Sequence, residues 1–581
     1  MKVVLLYPPP WKIPAPEEAV DPVDGPPEDY REGDLDADFF QTPYGLYTLA
    51  AEALRGGHQV RLFNLAGFPW VEVDRIIEAL DADVFGLSCW TANRRGVALV
   101  ADAIRRHHPR AHVVVGGPHA TPLGREMLQH HPAIDTVCVG ESEQTFLELL
   151  TRLEAGQSTS SIAGTWYRAA SRIENGPPRA VLKNLDDIAC PHEIFPTHIV
   201  MTSRGCPWAC TFCGAETSWG RSFRGHSTPY VLDMLERALT RVPVRMLLIK
   251  DDTFTTNKKR VLALCAGIRA RGLKFLWSCD TRVDVLDEEL LRAMRLAGCE
   301  RLSLGVESGS PRILAAINKK ISVEQIERSL ALAKRFGIKV RFYMMLGNRG
   351  ETAETFNETL GFLERARPHQ YLFSCLSIYP GTQDFHDAER AGLIHRDEYF
   401  RGKFQELKIP FDASEDDARL LSDWFETGRG LHTMYRPSVE ECQTTLAELG
   451  EYAPAELDLA AAHYRQGRME EAEILARRSL DHGHPCPGLV LNLLACIAYS
   501  REDIEQMKML FLEAARTDPQ HPVLIENVQR TRRWFAADGH TRSLLLELSI
   551  DHDFRLLERT LQPSLPGPLP EWFADFEQPL C

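Results

Sequence analysis

Through the first 150 positions, short β-branched and apolar runs alternate with stretches whose apolar residues recur every three or four positions. This pattern predicts strands at Val3–Tyr7, Gln59–Asn64, Val84–Cys89, His112–Gly116 and Thr136–Val139. Amphipathic helices are predicted between them at Tyr44–Leu54, Val73–Leu80 and Arg94–His107. Alternation at this spacing implies an α/β fold with a doubly wound, Rossmann-like parallel sheet over residues 1–150. The Pro- and acid-rich stretch Pro14–Asp38 interrupts the pattern and reads as a surface loop. Residues 151–195 are less regular and read as a connector.

The alternation resumes over residues 196–385, with strands predicted at His198–Thr202, Met246–Lys250, Lys274–Cys279, Arg301–Val306, Lys339–Met345 and Tyr371–Ser377. Helical patterns separate them, and the six strand–helix units fit a partial or full (β/α) barrel. Such a barrel works at the carboxyl ends of its strands. Residues 386–450 are mixed and carry no assignable role. Residues 451–581 are helical throughout, with Tyr464 and Tyr499 separated by 35 positions and Pro485 and Pro519 by 34. That period matches a tetratricopeptide helical hairpin, although two unrelated amphipathic helix pairs would produce the same texture. Two repeats rarely stand alone, so this tail is expected to dock on the barrel.

The chain has 581 residues and a net charge of −15, so it lacks the general basic character of a nucleic-acid or anionic-membrane binder. No apolar run is long enough to span a bilayer. The apolar start is too short for a secretory signal and ends in Pro8–Pro10, so a first buried strand and a cytoplasmic location are expected. Most of the 14 cysteines stand singly in apolar surroundings, as Cys89, Cys138 and Cys496 do, and read as small buried hydrophobes.

Cys206, Cys210 and Cys213 differ, because they occupy one loop directly after a predicted strand with the spacing Cys-x₃-Cys-x₂-Cys. Thiolates at this spacing can converge on an iron–sulfur cluster, and three ligands on four irons leave one iron open for chemistry. A structural zinc site would need a fourth ligand with its own pair spacing, and His226 stands alone.

With Phe212 just before the last cysteine, the motif resembles the signature of radical S-adenosylmethionine enzymes. Further segments resemble that family's later motifs: Lys250–Phe254, Ser278–Arg282, Gly305–Ser310, Met345–Thr352 and Tyr379–Thr382. The resemblance implies a 4Fe–4S cluster on Cys206, Cys210 and Cys213, with S-adenosylmethionine on its open iron. It implies S-adenosylmethionine contacts from Glu307, Ser308, Asp252 and Asp280. Residues 1–150 resemble the cobalamin-binding domain found in one branch of the family. Tyr7, Pro8, Thr42, Tyr44, Ser88, Gly116, Gly117, His119, Gly140 and Glu141 are the implied corrinoid contacts. The Asp-x-His-x-x-Gly motif that supplies a histidine to cobalt is absent, and His58 and His119 lack its context. No histidine is therefore expected on the metal.

The activity implied is a cobalamin-dependent radical methyltransferase acting on an unactivated carbon of a natural-product or peptide substrate. A second reading keeps both cofactors for cyclisation, ring contraction or oxidation without methyl transfer. A third, an interaction protein built on the helical tail, conflicts with the complete cysteine motif. The family further implies an external electron donor such as flavodoxin or ferredoxin, and neither nucleic acid nor membrane is an expected partner.

Overall fold

The structure, a computed structural model, describes residues 1–9, 43–66, 68, 70–169, 172–400, 414–428, 431–536 and 546–550. The first sheet contains β1 (Lys2–Tyr7), β2 (Gln59–Asn64), β3 (Val84–Ser88), β4 (His112–Gly116), β5 (Thr136–Cys138), β6 (Thr165–Ala169) and β7 (Arg172–Asn175). Their order is β2-β1-β3-β4-β5-β6-β7, parallel through β5 and antiparallel beyond it. Alternate residues of β1 serve opposite layers. Val3 and Leu5 pack with the helices Tyr44–Arg55 and Glu143–Glu154, whereas Val4 and Leu6 pack with Trp70–Ala79 and Arg94–His107. Burial on both faces explains why β1 reads as one unbroken apolar run. β6 and β7 lie within the stretch that its pattern left as a connector. They extend the sheet as a half-exposed antiparallel pair, too short and mixed to announce itself.

The second sheet contains β8 (Ile199–Val200), β11 (Met246–Ile249), β12 (Leu276–Thr281), β13 (Cys299–Glu307), β14 (Lys339–Leu346), β15 (Gln370–Cys375) and β16 (Leu431–Thr433). Between β8 and β11, β9 (Ser203–Arg204) and β10 (Arg224–Gly225) form a separate small ladder around the cysteine loop. β8 and β11 to β15 run parallel in sequence order, and β16 joins β15 antiparallel. Among the described residues β8 and β16 remain edges, so the barrel is partial. Its outer face packs Leu247, Trp277, Leu302, Leu304, Val340 and Phe342 against the flanking helices. Those helices start on side-chain caps, including Ser227, Asn257, Asp287, Ser322 and Thr352, each accepting a backbone N–H from the first turn.

The tail forms consecutive helical hairpins from Ala453–Arg465, Met469–Asp481, Pro487–Ser500 and Ile504–Thr517, followed by Pro522–Ala536. Leu457, Cys486, Leu489 and Val490 pack on Met246, Leu248 and Leu276, the apolar inner residues at the amino ends of β11 and β12. The tail thus packs on the end of the barrel opposite the carboxyl ends of its strands. A buried ionic contact fastens it. Arg295, fully enclosed, donates to Asp458 at 2.8 Å, and the Tyr452 hydroxyl donates to the Arg295 carbonyl at 2.6 Å. No helix among the described residues is long and apolar enough to cross a membrane.

Removing one partner of an enclosed ion pair leaves the other charge uncompensated. Asp458→Asn is therefore expected to lower unfolding stability by about 2–4 kcal/mol, read as a fall in the urea midpoint. An unchanged midpoint would show that the tail does not brace the barrel through this contact.

Candidate functional site

The carboxyl ends of both sheets face one another across a cavity of about 870 Å³. From the first sheet come Tyr7, Tyr44, Ser88, Gly116, Gly117, Gly140 and Glu141, all expected corrinoid contacts. The apolar part of the same lining is supplied by Leu5, Leu46, Gly86, Val114, Cys138 and Phe146. Gly117 has φ +107, and a Cβ there would meet the Cys89 carbonyl oxygen at 2.6 Å, so only glycine keeps this turn flat against its neighbour. An apolar lining beside glycine-lined turns fits a bulky corrinoid and its tail.

Thr42, Pro8, His119 and Glu141 stand apart from the other expected corrinoid contacts. Thr42 lies outside the described residues, as does the Pro14–Asp38 loop. Pro8 is buried outside the lining, its carbonyl 3.4 Å from Asn93 Nδ2. His119 is fully buried, with Nδ1 3.1 Å from Thr91 Oγ1 and its ring against Tyr399 and Phe400, away from the cavity. Burial lowers its pKa to about 3, so the ring is neutral. Glu141 borders the cavity, but its carboxylate is occupied by arginines from the barrel side. His58 sits at the opposite end of the sheet, beside the amino terminus. Among the described residues no histidine of the first sheet lines the cavity, whereas His226 from the barrel side does.

On the barrel side the cysteine loop follows β9 and is held at several points. Asp252 accepts the Gly205 N–H at 2.8 Å, and Asp251 accepts from Thr202 and Ser203. Asn318 Nδ2 donates to the Ala209 carbonyl at 2.6 Å, and Thr211 is tied to Asp384. Cys206, Cys210 and Cys213 are half-buried on this loop. Burial, with smaller contributions from the Cys210 and Cys206 sulfurs, pushes the Cys213 thiol up to about 12. Deprotonated together as ligands, three thiolates on one loop would repel one another and call for a cationic group between them. Among the described residues no three potential ligands close around a single metal ion. A four-iron cluster spreads its thiolates more widely than one ion does, and three thiols on one loop fit three of its irons. His226 stacks on Tyr230 and contacts Asp186 at 3.2 Å, so its ring is already engaged by these neighbours.

Glu307 ends β13 at φ +70, a strained backbone for this residue type, and its carboxylate accepts from Lys319 Nζ at 2.8 Å beside Cys210. Asp280 lines the cavity and pairs with Lys250 at 3.5 Å. Strand register extends this level across the sheet, from Asp280 to Ser303, Arg341 and Gln370, giving the barrel a polar layer above its apolar end. Ser308 does not join the site. It is fully buried and contacts Thr359 Oγ1 at 2.9 Å, so its hydroxyl serves the fold.

Sequence reasoning missed the device that joins the two halves. Arg204, two residues before Cys206, donates to Glu143 at 2.5 Å and lies 3.8 Å from Glu141. Arg224, its neighbour across the β9–β10 ladder, grips the Glu141 carboxylate with both terminal nitrogens. Trp219 stacks on Arg204 at 4.8 Å. The only sequence signal was two arginines flanking the cysteine loop. Nearby, Gly381 at φ +82 lets the end of the barrel approach Pro122 and Thr217, where a Cβ would stand 2.9 Å from each.

Comparisons with known proteins agree with this geometry. Residues 200–363 match the radical SAM superfamily, and residues 36–150 match the B12 binding domain. Uncharacterized methyltransferase PH0819 of Pyrococcus horikoshii is 32% identical over 354 residues, covering 59% of this chain and 77% of that protein. The anaerobic magnesium-protoporphyrin IX monomethyl ester cyclase of Rubrivivax gelatinosus is 28% identical over 334 residues, 54% of this chain and 60% of that one. The structure of the cobalamin-dependent S-adenosylmethionine radical enzyme OxsB with aqua-cobalamin has the same fold, with TM-score 0.58 and 16% identity over 99% of this chain and 84% of that chain. The chain belongs to the cobalamin-dependent radical S-adenosylmethionine enzymes. Its cofactors are a 4Fe–4S cluster, S-adenosylmethionine and cobalamin.

The arginine clamp carries a pH signature. Burial alone would push the Glu143 carboxyl up, but Arg204 overrides it and holds the carboxyl below its ordinary value. A depressed folded pKa adds stability above the ordinary carboxylate range, and that stability is lost as pH falls through the folded value. Unfolding stability should therefore lose this contribution only below about pH 4. Glu143→Gln should cost about 3 kcal/mol at neutral pH and remove that share of the acid dependence, read by denaturant titration across pH.

Proposed function

We propose that this chain is a cobalamin-dependent radical S-adenosylmethionine methyltransferase, acting on an unactivated carbon of a small-molecule or peptide substrate. The observation that carries the reading is one cavity walled by both the B12-binding sheet and the barrel, with the cysteine loop at its border. In this reading Cys206, Cys210 and Cys213 hold the cluster, while Glu307, Asp252 and Asp280 stand where S-adenosylmethionine is received. Tyr7, Tyr44, Ser88, Gly116, Gly117 and Gly140 receive the corrinoid. Once bound, the cluster and S-adenosylmethionine supply a carbon radical and cobalamin supplies a methyl carrier.

The chain's own contribution is positioning and the exclusion of water. Asp252 sets the start of the cysteine loop through the Gly205 N–H. Lys319 fixes the direction of the Glu307 carboxylate. The tail covers the far end of the barrel with apolar side chains, which opposes the entry of water there. Reduction of the cluster calls for an external donor of the flavodoxin or ferredoxin class, in a reducing, cytoplasmic setting.

The Pyrococcus relative, more similar and covered over more of its length, supports methyl transfer. The Rubrivivax relative supports the second reading, cobalamin-dependent radical cyclisation or oxidation without methyl transfer. Anaerobic reconstitution with iron, sulfide and hydroxocobalamin should load one four-iron cluster and one corrinoid per chain. Changing Cys206, Cys210 and Cys213 together to Ala should remove the iron alone. The reduced holoenzyme should then convert S-adenosylmethionine to S-adenosylhomocysteine. Formation of 5′-deoxyadenosine without S-adenosylhomocysteine would favour the second reading, and iron without corrinoid would contradict both.

A further inference from the structure

We infer that Arg282 sets the reduction potential of the cluster by donating a hydrogen bond to the sulfur of Cys210. The inference rests on the cysteine loop holding the cluster, and adds a role for a residue outside that loop. Arg282 follows the end of β12, is 4% exposed, and has Nη1 3.7 Å from Cys210 Sγ. Its orientation is fixed on every side. Asp284 takes Nε at 2.9 Å and Nη2 at 3.1 Å, and the Lys319 carbonyl takes Nη2 at 2.7 Å. Trp208, within the cysteine loop, stacks on the guanidinium at 4.7 Å. A side chain held in this way directs one N–H at a chosen atom, and that atom is a cluster ligand.

The other two sulfurs have no charged donor among the described residues, and that of Cys213 accepts the Ala215 backbone N–H. Thr253 Oγ1 lies 3.6 Å from Cys206 Sγ, but its proton goes to the Asp252 carbonyl at 2.7 Å. Among the described residues Arg282 is the one charged side chain that donates to any of the three sulfurs. The charges nearby also cancel in pairs, Arg282 against Asp284 and Lys319 against Glu307. What remains is the directed N–H, not a general positive field.

Reduction places more negative charge on the sulfurs, so a donor N–H stabilises the reduced cluster more than the oxidised one and raises the potential. Lysine keeps the charge but lacks the planar fork that binds Asp284, the Lys319 carbonyl and the sulfur together.

The test is a redox titration of the reconstituted protein followed by electron paramagnetic resonance, comparing wild type with Arg282→Lys. The expected result is full iron content in both and a more negative midpoint in the variant. A second measurement needs no variant: wild-type protein carrying ¹⁵N-guanidino arginine should show a nitrogen hyperfine coupling to the reduced cluster. If Arg282→Lys fails to hold iron, that coupling decides the matter, supporting the inference if present and overturning it if absent. Full iron content with an unmoved midpoint and no nitrogen coupling would overturn this inference alone. Wild-type protein that takes up no iron would overturn the cluster reading and this inference with it.

Discussion

The two halves of the molecule meet through a buried ionic contact. Arg204 and Arg224, on either side of the cysteine loop, insert into the Gly140–Glu143 turn and occupy the carboxylates of Glu141 and Glu143. Buried charges tolerate little misplacement, because a small shift leaves each uncompensated in a poorly solvating interior. The contact therefore fixes the position of the cysteine loop relative to the turns of the first sheet. Apolar surface is also buried between the halves, where Ile378, Phe385 and Tyr399 join the core of the first domain, but such contacts do not define that register so narrowly. A reaction that brings two cofactors to one substrate depends on such a register.

The barrel supplies the second constraint. Its strands are parallel but leave edges, and its inner face changes character along its length. Met246 and Leu276 are apolar and covered by the tail, Leu248 lies between the tail and the cavity, and Lys250, Asp280 and Arg341 are polar and open to the cavity. The tail makes this gradient workable. Without a cover, the apolar layer would face water and the floor of the cavity would be wet. Arg295 and Asp458 join the cover to the barrel as Arg204 and Glu143 join the barrel to the first sheet. Arg282 extends the same chemistry to the cysteine loop itself, where one guanidinium holds a carboxylate, a carbonyl and a sulfur at once.

Much of this was legible in the chain, for reasons that differ from residue to residue. Strands such as Val84–Ser88 and Met246–Ile249 are buried on both faces, so their apolar runs stand out. The Cys206–Cys213 spacing is local and needs no fold to be read. β6, β7 and β16 are short, half-exposed or paired at an edge, and their patterns do not rise above those of loops. Carboxylates were hardest to place. Glu141 meets Arg224, 83 positions later, and no local pattern reveals that a glutamate in a glycine-rich turn faces an arginine and not a ligand. His119 and Ser308 failed for a related reason. Each lies in a motif that borders the site, yet its side chain turns inward to Thr91 or Thr359.

The central claim is that the cluster and the corrinoid share one cavity between the two sheets. Pulsed electron paramagnetic resonance on the reconstituted protein, with the cluster reduced and the cobalt in its paramagnetic divalent state, measures this directly. A shared cavity predicts strong dipolar coupling between the two centres, weakened in Glu143→Gln as the register loosens. Two signals that relax independently, with no coupling in the wild type, would contradict the account.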